Sequence, residues 1–238
     1  EHVTFEKIEQ KLTFYTLAEL HKAQEEEKVS WLSTVATRLY PSASHKLVGM
    51  ETSVQRLIDL ERSPFERSMI LIGPRGVGKS EIVYQWLDKS GHDKVWETSA
   101  TYLIRKLTNN FGWQANLMTF IKEVQKEGAL LYIKNFADLF EVGRYVGQTL
   151  SLGEVIKEEI AQGKIKIISE CSEEERAALE LKYPDALSPY HIIDIAEPEG
   201  EQLTQIIHDK GSWLCDQASL SLSLGNEYRR TGAPHIMA

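Results

Sequence analysis

Met69-Ile70-Leu71-Ile72 is a short, wholly apolar run, and the loop Gly73-Pro-Arg-Gly-Val-Gly-Lys-Ser80 follows it directly. A strand with one wet face alternates apolar and polar residues. One that is apolar throughout belongs inside a parallel sheet covered on both faces. Glu81 to Leu87 then reads as helix. The spacing Gly73-x4-Gly78-Lys79-Ser80 between a buried strand and a helix is the P-loop, or Walker A, pattern. Its glycines let the backbone wrap so that successive N–H groups point inward at phosphates. The helix that begins there adds its positive end. Lys79 reaches the β- and γ-phosphates as a point charge, and the Ser80 hydroxyl is the expected ligand for Mg²⁺.

The rest of the chain repeats the strand–helix alternation. Strands are predicted at Val95–Thr98, Ala129–Ile133, Ile165–Ile168 and His191–Ile195. Helices are predicted at Ser53–Glu61, Leu117–Lys126, Leu152–Ala161 and Glu173–Lys182. That alternation implies an α/β fold with a parallel sheet. Ahead of it, residues 5–39 read as helix, with Glu25-Glu26-Glu27-Lys28 as a solvated patch between two amphipathic runs. Pro41-Ser42-Ala43-Ser44-His45 reads as a linker. The expected organisation is a helical leader over 1–40 and a P-loop domain over 41–207, with residues 208–238 following it as a separate part.

The 238 residues suffice for one good-sized domain, with a net charge of −8. That balance argues against nucleic acid as the main partner. Cys171 and Cys215 show no metal or redox spacing and fit a reducing cytoplasm. No apolar run is long enough to span a membrane. The N-terminus has neither a signal-peptide pattern nor an initiator Met, as expected of a piece from a longer chain.

The second half of a hydrolytic site is missing where it is expected. A P-loop enzyme places an acid at the end of a neighbouring strand to hold Mg²⁺, often with a following Glu to activate water. After Leu130-Leu131-Tyr132-Ile133 this chain has Lys134-Asn135. A charged lysine does not coordinate Mg²⁺, and asparagine does not accept a proton as a base. Two readings compete. In one, nucleotide is bound but hydrolysed slowly or never, with Lys134 pairing phosphate oxygens in partial place of the metal. In the other, Asp138 or Glu170 substitutes. Glu170 follows the strand Ile165–Ile168, at the end of the sheet where ligands bind. The plainer reading of Glu170, a solvated loop acid, is preferred, and so is the slow or dead site. Glu170 and Asn135 are weak catalytic candidates, and no catalytic residue is assigned.

From about Leu47 to Gln205 the chain resembles the first AAA+ module of Clp-type unfoldases. Val48-Gly49 looks like the family's turn beside the adenine. Gly73 to Ser80 matches its Walker A loop, and Glu123 to Ile133 resembles the helix and Walker B strand. Leu152-Gly153-Glu154 through Ile168 resembles the segment leading to the sensor strand, and Glu197-Pro198 the Glu-Pro after the last strand. The resemblance implies an AAA+ large domain followed by a helical lid, with Ser223 to Tyr228 as a candidate lid helix. It implies ATP or ADP held by Val48, Gly49, Pro74, Arg75, Gly76, Val77, Gly78, Lys79, Ser80 and Glu81. Ring neighbours, in a homo- or hetero-oligomer, and a polypeptide client are the implied partners. Phe111-Gly112-Trp113 stands about where the family's pore loop grips a client, with anchoring of a helix start as the plainer reading. The departures are Lys134-Asn135 for Asp-Glu, Cys171 near the polar sensor position, and no arginine between Arg176 and Arg229 where finger arginines belong.

These residues imply a Clp-like nucleotide-binding module of a remodelling machine, weak in hydrolysis and serving assembly or control. An active ATPase with substituted acids is the first alternative. A scaffold with a vestigial P-loop and partner-binding leader helices is the second.

Overall fold

The computed structural model describes residues 30–41, 49–63, 68–109, 112–144, 149–217, 221–223 and 235–237. The leader run before Ser30, Ser42–His45 of the linker, Val48, Phe111 and residues 224–228 of the expected lid helix lie outside them.

Short helix α1 (Trp31–Val35) leads into strand β1 (Thr37–Arg38). Helix α2 (Glu51–Glu61), β2 (Ser68–Ile72) and α3 (Lys79–Ser90) carry the phosphate loop between them. There follow β3 (Val95–Ser99), α4 (Ala100–Leu107), α5 (Gln114–Glu127) and β4 (Leu130–Lys134). Next come α6 (Asp138–Glu141), α7 (Leu152–Ala161), β5 (Lys166–Cys171) and α8 (Glu173–Lys182). Strand β6 (Tyr190–Asp194) precedes α9 (Gly200–Gln217). The last pair, β7 (Ser221–Ser223) and β8 (His235–Met237), is antiparallel.

Six strands form one sheet in the order β1-β3-β4-β5-β2-β6, parallel except for the edge strand β1. Alternation along the central strands builds two cores. Ile70, Ile72, Leu131, Ile133 and Ile167 pack with α1 and α4 to α8 on one face. Met69, Leu71, Tyr132, Ile168 and Ile193 pack with α2 and α3 on the other. Each fully buried aliphatic side chain contributes about 1.5–3 kcal/mol, so the wholly apolar β2 is held from both sides. The parallel α/β sheet anticipated from the sequence is the observed one.

Several details differ from the sequence reading. Residues 36–39 leave the helix: Ala36 is extended, and Thr37 and Arg38 pair with Trp96 and Glu97. The open edge of β3 supplies backbone partners that a lone short helix cannot offer. Leu32, Val35 and Ala36 join the core of the sheet domain, on the leader side of the expected boundary at residue 40. Strand β5 runs to Cys171, beyond Ile168, because Ser172 starts α8 as N-cap in a reciprocal capping box with Glu175. Helix α9 runs through the expected boundary at 207/208, and Ser223 closes β7 instead of opening a helix.

Candidate functional site

The site lies at the carboxyl ends of β2, β4 and β5, where an open α/β sheet presents loops to ligands. Glycines set the path of the phosphate loop. Gly76 and Gly78 have φ of 83° and 99°, in the left-handed region other residues avoid. A Cβ on Gly73 would stand 2.2 Å from the Ile195 carbonyl oxygen, so only glycine lets the loop pass that backbone. Lys79 folds over the loop and donates to the Gly73 and Pro74 carbonyls at 2.7 and 2.8 Å.

A cavity of about 680 Å³ opens at the loop. Arg75, Gly76, Gly78, Lys79, Ser80 and Glu81 of the expected phosphate set line it. Pro74 contributes its carbonyl to Lys79, and Val77 packs toward the α2–α3 core. Gly49 stands apart at the start of α2, where its carbonyl accepts from Gln202 of α9. Opposite the loop, Asn135, Asp138, Glu170, Cys171, Ser172 and Glu175 complete the wall. Arg75 meets Glu175 across the mouth at 2.5 Å.

Glu170 is not a solvated loop acid. It is only 9% exposed, and its carboxylate accepts from the Ser80 hydroxyl at 2.9 and 3.0 Å. Backbone bonds fix it there. The Phe136 N–H donates to the Glu170 carbonyl at 2.9 Å, and the Gly73 N–H to the Cys171 carbonyl at 3.3 Å. The turn after β4 and the phosphate loop are thus both tied to the end of β5. The capping box Ser172-x-x-Glu175 is the sequence signal that could have found this, since it lets β5 run to Cys171.

Lys134 takes no part in the cavity, contrary to the expected pairing with phosphates. Its ammonium donates to Glu97 at 2.9 Å and lies over the Tyr84 ring. Tyr84 donates to the other Glu97 oxygen at 2.8 Å. Burial opposes the lysine's charge, but contacts with Glu97 and Tyr84 outweigh it and raise the pKa. Opposite charge close by is more attractive to the ammonium than a site where it has to wait for phosphate.

Asn135 adopts φ 56°, the one positive value among described non-glycine residues, and lines the cavity with an amide that is no base. Cys171 is buried, and burial pushes its thiol up to about 12, so it stays a neutral thiol. The Tyr132 hydroxyl is fully buried without a hydrogen-bond partner. Burial first, and the charge of Glu170 second, raise its pKa. Trp113, weighed between client gripping and the plainer reading of a helix anchor, is 1% exposed and donates its indole N–H to the Gly143 carbonyl at 2.9 Å. It anchors the start of α5 and is closed to a client.

No protein-family model matches the chain. It is 28% identical over 136 residues to the chaperone protein ClpB of Malacoplasma penetrans (strain HF-2), covering 52% of this chain and 19% of ClpB. The Saccharomyces cerevisiae Hsp104–ADP complex aligns with a TM-score of 0.61 at 17% identity, over 80% of this chain and 35% of that one. The extended S. cerevisiae Hsp104–casein complex aligns with a TM-score of 0.61 at 16% identity, over 79% and 34% of the two chains. Hsp104 with ATPγS and FITC-casein in a closed state gives 0.58 at 19%, over 74% and 32%. The chain thus spans about a fifth of the curated relative and about a third of the solved chains. It has a Clp-type AAA+ fold and is similar to the ClpB and Hsp104 chaperones.

Proposed function

We propose that this chain is a nucleotide-binding AAA+ module of a Clp-like remodelling assembly, and that it holds ATP while hydrolysing it slowly or not at all. The observation that carries this is the pairing of an intact phosphate loop with a β4 end that brings no carboxylate to it. Lys79 and Ser80 line a cavity large enough for a nucleotide's phosphates, while Lys134 is locked onto Glu97 and Asn135 offers an amide. When phosphate enters, Lys79 exchanges two neutral carbonyl acceptors for charged oxygens, a stronger class of hydrogen bond. The loop N–H groups and the α3 N-terminus hold the remaining charge. Displacing a catalytic base by even ~1 Å lowers the rate steeply, and Asn135 supplies none.

The ADP and ATPγS of the Hsp104 complexes support an adenine nucleotide as ligand. The casein of two of them supports a polypeptide client for the assembly this module would join. The missing arginines before β6 support a role in assembly or control over one in completing a neighbour's site. Two free buried cysteines suit a reducing cytoplasm. The test is a titration with a fluorescent ATP analogue while phosphate release is followed in the same samples, with a Lys79→Ala variant alongside. Saturable binding without release, lost in the variant, is expected. Steady release would assign an active ATPase, and no binding would leave the vestigial scaffold.

A further inference from the structure

We infer that Mg²⁺ is anchored in this module by Ser80 together with Glu170 of β5, so that the acid missing from β4 is supplied by the neighbouring strand. This rests on the proposed nucleotide site and concerns how its cation is held. The two side chains already meet at 2.9–3.0 Å on the cavity wall, and Glu170 is nearly buried and fixed by backbone bonds on both sides. Mg²⁺ is commonly held by one or two carboxylates plus phosphate oxygens, and it keeps several waters. That donor set fits what the wall offers, one carboxylate and one hydroxyl.

Charge decides whether the cation is needed. Arg75 and Lys79 are the cavity's cations, against Glu81, Asp138, Glu170 and Glu175. Arg75 is already bound to Glu175, which leaves Lys79 facing three carboxylates. Bare polyphosphate entering this wall is repelled by Glu170 at the position of closest approach to Ser80. A divalent cation between them turns that repulsion into attraction. Lys134 cannot relieve it, being held by Glu97.

The experiment measures affinity for a fluorescent ATP analogue in Mg²⁺ and in EDTA, for the full chain and for Glu170→Gln. In the unaltered chain, EDTA is expected to weaken binding by about tenfold or more, about 1.4 kcal/mol. In Glu170→Gln the metal-free affinity should rise, because the repulsion is gone, and the gain from Mg²⁺ should fall to about twofold or less. Glu170→Asp should recover part of the gain, and Ser80→Ala should lose it without tightening metal-free binding. Thermal unfolding of each variant shows whether it is folded. If Glu170→Gln does not fold, Glu170→Asp decides: a reduced Mg²⁺ gain supports the anchor, and an undiminished gain overturns it. Mn²⁺ in place of Mg²⁺ gives a second readout: in a mixture of Mn²⁺ and nucleotide, adding the unaltered chain should lower the free-ion EPR signal below the level that the nucleotide alone sets, and adding Glu170→Gln should lower it far less. Equal affinity with and without Mg²⁺, or a full Mg²⁺ gain in Glu170→Gln, overturns the inference while leaving nucleotide binding intact. No binding under either condition removes the nucleotide site, and this anchor with it.

Discussion

Two charged residues carry roles other than the preferred sequence reading gave them. Lys134 stands where the resemblance calls for an acid, and it is neutralised sideways by Glu97, away from the phosphate loop. Glu170, one strand over, turns its carboxylate to Ser80. Reading along one strand at a time sees the loss at β4 and ranks Glu170 of β5 only as an alternative, because the two strands are neighbours only through sheet pairing. Lys134→Ala should therefore destabilise the fold by about 1 kcal/mol, as expected for a partly exposed pair, and leave nucleotide affinity unchanged. Urea unfolding and the same titration check this, and a large affinity loss would mean that Lys134 does reach the phosphates. Glu175 carries a pH signature. Burial pushes its carboxyl up, but the Ser172 N–H and the Arg75 guanidinium outweigh it and hold the pKa below the usual value. A lowered folded pKa stabilises fully above the unfolded value of about 4.3, and that contribution is lost as pH falls toward the folded pKa. Urea midpoints measured from neutral pH down to about 3 should fall less steeply in Glu175→Gln than in the unaltered chain.

At the scale of elements, legibility followed patterning. The apolar runs Met69–Ile72 and Leu130–Ile133 have nowhere to go but the middle of a parallel sheet, and both are there. Helix α4 was missed because it leaves β3 without a glycine or proline, with Ser99 closing the strand and capping the helix at once. Strand β1 was read as helix because Leu32, Val35 and Leu39 keep helical spacing, while a backbone partner on β3 decides the outcome. The end of β5 was missed because Ser169, Glu170 and Cys171 look like the polar start of a loop. Ser169 instead donates to the Ile133 carbonyl and joins the strand ends. Trp113 belongs to this scale too, since it pins the start of α5 to the chain after α6 through Gly143. Trp113→Ala should lower stability by about 3–5 kcal/mol, the range for removing a buried tryptophan, as read by urea unfolding. A change under about 1 kcal/mol would contradict that anchoring role.

Taken as a whole molecule, the sheet order β1-β3-β4-β5-β2-β6 brings three strand ends together around one cavity. Fold class and phosphate loop could be read in advance because each is written in consecutive residues. Of the far wall, Asn135, Asp138 and Glu170 could be named only as candidates and Glu175 not at all, since they meet the loop only after the crossovers are in place. Under the proposed function, this arrangement would join a grip on phosphate to an incomplete means of cleaving it. The direct check is to incubate the purified chain with ATP and Mg²⁺, remove free nucleotide by rapid gel filtration, and identify what stays bound by anion-exchange chromatography. Intact ATP near one equivalent, absent from Lys79→Ala, is the expected result. ADP in its place, or no retained nucleotide at a chain concentration well above its measured Kd, would contradict it.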